Sequence, residues 1–154
     1  APDTNGHPTQ AGSRVGKGDA VMSAVEGLLQ QGSGDKAFEI IDGNIDRFDT
    51  GTLPRALLLR GKAQMLMAKS GNAGKLLRQA GLDFMRIVAH YPDSVDAGEA
   101  LFLAGQVNAS LPKPNYAAAR AAWQQVLSSY GGSGPLAKRA QKAIDQLPGR
   151  GKGK

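Results

Sequence analysis

The chain contains no cysteine, which excludes disulfide staples, thiolate nucleophiles and thiolate metal sites. Aromatic residues make up only 5% of it, leaving small and aliphatic side chains to build the core. Closely packed helices suit such a core, whereas sheet sandwiches draw on aromatic and β-branched residues. No apolar run approaches the ~20 residues that a helix needs to cross a bilayer. Histidine occurs twice: His7 in a polar, glycine-containing stretch, and His90 at a predicted helix end, where an imidazolium favours the exposed carbonyls. No second histidine stands near either. Ser128, Ser129 and Ser133 lack a Gly-x-Ser-x-Gly elbow, and Gly16-Lys17-Gly18 and the 131–134 loop lack the Walker spacing. Asp93, Asp96 and Glu99 lack the alternating oxygen ligands and central glycine of a calcium loop, so helix capping is their better use. The expectation is a protein that is not an enzyme and holds no cofactor or metal.

What the chain does have is an uneven distribution of charge. The net charge is +6, yet Asp35, Glu39, Asp42, Asp46 and Asp49 outnumber Lys36 and Arg47 early on. Arg55, Arg60, Lys62, Lys69, Lys75, Arg78 and Arg86 then face Asp83 alone. Lys138, Arg139, Lys142, Arg150, Lys152 and Lys154 face Asp145 alone at the end. Solvated helix faces and a solubilising tail explain this, and so does an anionic partner such as a lipid headgroup or polymer. Nucleic acid fits poorly, because no aromatic residues are interleaved with the cations as stacking platforms.

Residues 1–18 are rich in Gly, Pro, Ser, Thr and Asn and hold one large aliphatic residue, Val15. They read as a disordered leader or linker, unable to bury enough apolar surface to offset ordering entropy. The chain opens Ala1-Pro2-Asp3 without an initiator methionine, as expected if a leader has been removed or the chain is a piece of something longer. Residues 19–147 read as seven amphipathic helices, and residues 148–154 as a flexible basic tail. The first helix runs over about 19–31 with Asp19 as N-cap, the second over 35–48. Gly43 inside the second costs about 1 kcal/mol relative to Ala, which suggests a close-packed neighbour. Thr52-Leu53-Pro54 starts the third, with Thr52 as N-cap, continuing to about Lys69. The fourth spans 75–90 and ends at Tyr91-Pro92, since proline supplies no N–H and disfavours helix before it. Asp93 or Ser94 caps a fifth helix over 95–109. The sixth spans 116–129 and the seventh 135–147. Met65, Met67 and Met85 fall on apolar faces as core filler.

The even-numbered helices repeat one pattern: alanine, a bulky apolar residue, an aliphatic residue, an aromatic one. It reads Ala37, Ile41, Ile45, Phe48, then Ala80, Phe84, Val88, Tyr91, then Ala119, Trp123, Leu127, Tyr130, with the same spacing each time. Leu57 and Gly61 in one odd helix answer Leu101 and Gly105 in another. Small residues let helices approach while large ones fill the groove between successive hairpins.

Tyr116, Ala119 and Trp123 resemble the second-helix signature of tetratricopeptide repeats, and Leu101, Ala104 and Gly105 resemble the first-helix signature. Tyr91-Pro92-Asp93-Ser94 followed by Ala97 and Ala100 resembles the turn frequent in bacterial envelope members of that family. Those members include the coordinator of the Tol–Pal system and the lipoprotein of the outer-membrane assembly machine. The resemblance implies an all-α fold: a right-handed superhelix of about three such hairpins plus a C-terminal capping helix. It further implies a protein–protein interaction scaffold of a periplasmic or envelope assembly, with a partner's peptide or helix in the concave groove of the odd helices. Arg60, Gln64, Gln106 and Asn108 are the candidate contacts there. An alternative is an electrostatic tether, in which Lys138, Arg139, Lys142, Arg150, Lys152 and Lys154 with the helix three–four region meet an anionic surface. Another is a helical appendage of a larger enzyme, with a cytoplasmic site left open.

Overall fold

A computed structural model describes residues 18–149; the leader residues before them, and Arg150, Lys152 and Lys154, lie outside the described residues. The described chain is all-helical and contains no strand. We label α1 (18–30), α2 (Gly34–Asn44), α3 (Leu53–Ala68), α4 (Ala73–His90), α5 (Ala97–Ser110), α6 (Tyr116–Gln125) and α7 (Pro135–Asp145). A 3-10 turn, Ile45–Arg47, extends α2, and a π-helical turn, Val126–Gly131, extends α6. Short loops join consecutive helices, and from α2 to α7 each packs against the next, the arrangement of successive helical hairpins.

The contacts beyond nearest neighbours are one-sided. The odd helices α3 and α5 touch, as do α5 and α7, whereas no comparable contact joins α2 to α4 or α4 to α6. Helices α3, α5 and α7 therefore follow one another along one face, here termed the inner face, and α2, α4 and α6 do not touch one another.

The repeated pattern is a pattern of burial. Ala37, Ile41, Ala80, Phe84 and Ala119 are fully buried and Trp123 nearly so, while Ile45, Phe48, Val88, Tyr91, Leu127 and Tyr130 are all half-buried. A methyl group added at Gly61 would lie 2.4 Å from the Phe84 ring, and one at Gly105 would lie 2.4 Å from Trp123 Nε1. In both seams a ring is thus seated on a glycine. Trp123 adds a hydrogen bond from Nε1 to the Phe102 carbonyl at 3.0 Å. In the first hairpin, fully buried Val25 joins Ala37 and Ile41 in a smaller cluster.

Several local expectations are corrected. Nothing lies within 4 Å of a methyl group built at Gly43, so no neighbour demands glycine there. Gly43→Ala should raise stability by up to about 1 kcal/mol, read as a higher urea midpoint. Thr52 makes no side-chain cap. Instead the Asp49 carboxylate accepts from the Gly51 and Thr52 amides and the Thr52 hydroxyl, each at 3.0 Å. The Thr52 hydroxyl, then its amide, holds the Asp49 carboxyl below the usual aspartate range. Helix α5 starts at Ala97 rather than 95, with the Ser94 hydroxyl accepting from the Asp96 amide at 3.1 Å. Met85 is 43% exposed, not core filler.

Candidate functional site

Two surfaces of α3 point in opposite directions, because at about 100° per residue Arg55 and Lys62 share one side while Arg60 and Gln64 occupy the other. The first side belongs to the inner face. There Arg55 Nη1 meets Glu26 of α1 at 3.0 Å, and Arg55 Nη2 meets Asp96 at the start of α5 at 2.9 Å. Lys62 pairs with Glu99 of α5 at 3.1 Å, and Glu99 is also approached by Arg139 of α7 at 3.7 Å. The Arg139 guanidinium also lies 4.4 Å from the centre of the Phe102 ring, within cation–π range. Alternating charges thus bridge all four odd helices. Burial is the largest influence on Arg55 and lowers its pKa, but the hydrogen bond and charge of Asp96, then those of Glu26, outweigh it. The guanidinium is held above its usual range.

The other side of α3 floors an outer groove of about 390 Å³ between α2 and α4. Arg60 donates to Asp83 of α4 through Nε at 2.8 Å and Nη2 at 2.7 Å, and through Nη1 to Asp42 of α2 at 2.9 Å. The Asp83 hydrogen bond dominates and, against the cost of burial, raises the Arg60 pKa. Gln64 Nε2 donates to the same Asp83 at 2.9 Å, and more weakly to the Arg60 carbonyl at 3.3 Å. Asp83 is only 5% exposed and Gln64 only 2%. The amide oxygen of Gln64 is buried and has no hydrogen-bond partner among the described residues. The rim of the groove is apolar at Phe38 and Leu82, and Leu82 is 71% exposed.

The four expected contact residues therefore separate. Arg60 and Gln64 lie together, committed to Asp83 and turned away from the inner face. Asn108, whose place in α5 matches Gln64 in α3, donates to the Ala104 carbonyl at 3.0 Å. Gln106 follows Glu99 by two helical turns, shares its side of α5 and is half-buried. Of the cations expected to meet an anionic surface, Lys138 and Lys142 are exposed, while Arg139 is engaged by Glu99 and Phe102. Asp83 and Asp96 were missed as partners. Each carried a signal: a carboxylate beside core positions requires a cation.

Among the described residues no cluster of histidine, aspartate and glutamate is arranged to hold a metal ion, and no helix is long and apolar enough to cross a membrane. Compared with protein-family models, with curated proteins and with solved structures, the chain matches none of them.

Proposed function

We propose that the chain is a non-enzymatic scaffold that binds a peptide or helix of another protein, its three hairpins and capping helix stacked as a right-handed superhelix of the tetratricopeptide type. One observation supports this reading: α3, α5 and α7 touch one another in series while α2, α4 and α6 do not, as expected of a stack that curves around a shared inner face. Such a face receives extended or helical segments. Gln106 is the contact residue this reading retains, together with Lys62, which has the matching place in α3. The likeness of its turns to bacterial envelope proteins supports a periplasmic or envelope setting.

A photo-crosslinking benzophenone side chain placed at position 106 or 62 should yield a discrete cross-linked species in native extract. The same group at position 138, exposed on α7, should yield none. Equal labelling at all three positions, or none at any, would remove the inner-face reading.

A further inference from the structure

The outer groove has walls of opposite charge. By helical spacing Asp35, Phe38, Asp42 and, in the following 3-10 turn, Asp46 share one side of α2, at intervals of three and four residues, and of these Phe38 and Asp42 line the groove. Lys75, Gln79, Leu82 and Arg86 likewise share one side of α4, at intervals of four, three and four; Gln79, Leu82 and Arg86 line the groove, beside Asp83, whose charge is met by Arg60. Each wall thus holds one central apolar residue flanked by charge, acidic on one side and basic on the other. The two helices are not in contact, and no ion pair among the described residues joins the walls. Asp42 alone is engaged, by Arg60 of the floor. Asp35, Asp46, Lys75 and Arg86 are exposed and have no ion-pair partner among the described residues. The contrast with the inner face is sharp: there Arg55, Lys62 and Arg139 are all neutralised internally.

We infer that this groove is a second docking surface, independent of the inner face, and that its occupant is one amphipathic helix of a partner protein. That helix carries an apolar stripe for Phe38 and Leu82, glutamates along the edge facing α4, and lysines or arginines along the edge facing α2. The pairing follows the rule by which flanking charges choose partner and orientation in packed helices. An anionic membrane satisfies only one wall, since a sheet of headgroups that neared Lys75 and Arg86 would also press on Asp35, Asp42 and Asp46. Nucleic acid meets the same objection.

The test uses the full chain and a fluorescein-labelled designed peptide of about 20 residues with that stripe and those two edges. A second peptide carries the two edges exchanged in position around the stripe and the chain direction kept. Fluorescence anisotropy should show the first peptide binding at least about tenfold more tightly than the second. Arg86→Glu with Lys75→Glu should remove that preference, Leu82→Asp should weaken both peptides, and Gln106→Ala should change neither. Unchanged thermal melting confirms that these substitutions leave the fold intact. Equal affinity for the two peptides, or indifference to the α4 charge reversals, would overturn the proposal. So would co-sedimentation with phosphatidylglycerol vesicles that the same reversals abolish while neither peptide binds. Because Gln106→Ala and the position-106 crosslinker probe the inner face alone, failure here leaves the scaffold reading separately tested.

Discussion

Arg60→Met should destabilise the protein by about 3–5 kcal/mol, measured as loss of unfolding free energy in urea. The magnitude comes from what the substitution leaves behind. Asp83 loses both guanidinium bonds yet stays buried at 5% exposure, with only the Gln64 amide donating to it. An ionised carboxylate in that position loses the cation that offsets the cost of its burial. Arg60→Met with Asp83→Leu removes the stranded charge as well and should recover most of the loss, because well-packed apolar residues often replace a buried ion pair without penalty. The Arg55–Glu26 pair provides the contrast. Its partners are 43% and 40% exposed at the side chain, so Glu26→Gln should cost no more than about 1 kcal/mol. A loss below that figure for Arg60→Met would mean that Asp83 is solvated in solution.

The difference between those two arginines marks where the sequence is informative. Helix positions and docking seams were legible because both rest on side-chain volume repeated at fixed spacing: an alanine and a bulky residue one turn apart, opposite a glycine. Such a pattern leaves few packings open. Polar partnership is different. Arg55, Arg60 and Lys62 stand within one short basic run, and nothing local says that Arg55 and Lys62 face α1 and α5 while Arg60 faces α2 and α4. That follows only once the helix is placed between its neighbours. Asp83 could have been found, since it is the one carboxylate between Asp49 and Asp93 and directly precedes the core residue Phe84. Gly43 misled for a related reason. A glycine in a helix signals either a close approach or nothing, and Gly61 and Gly43 look alike until a neighbour is present.

The seams themselves give the second large effect. Trp123→Ala should cost about 3–5 kcal/mol, through the cavity it opens between α5 and α6 and the loss of the Nε1 hydrogen bond to the Phe102 carbonyl. Trp123→Phe keeps an aromatic ring but loses that bond, worth on the order of 1 kcal/mol, together with part of the packing volume, so its cost should fall between that figure and the alanine value. A more demanding experiment reverses a sign. Alanine is a better helix former than glycine by about 1 kcal/mol, yet Gly105→Ala brings a methyl group to 2.4 Å from Trp123 Nε1. Trp123 is 4% exposed and is packed against Phe102, their ring centres 6.0 Å apart, so it has little room to withdraw. In the native background Gly105→Ala should therefore destabilise by about 1–3 kcal/mol. With Trp123→Leu already in place the ring is gone, and the same Gly105→Ala should stabilise. A glycine that owed its place to backbone conformation instead of to the ring above it would give the same sign in both backgrounds.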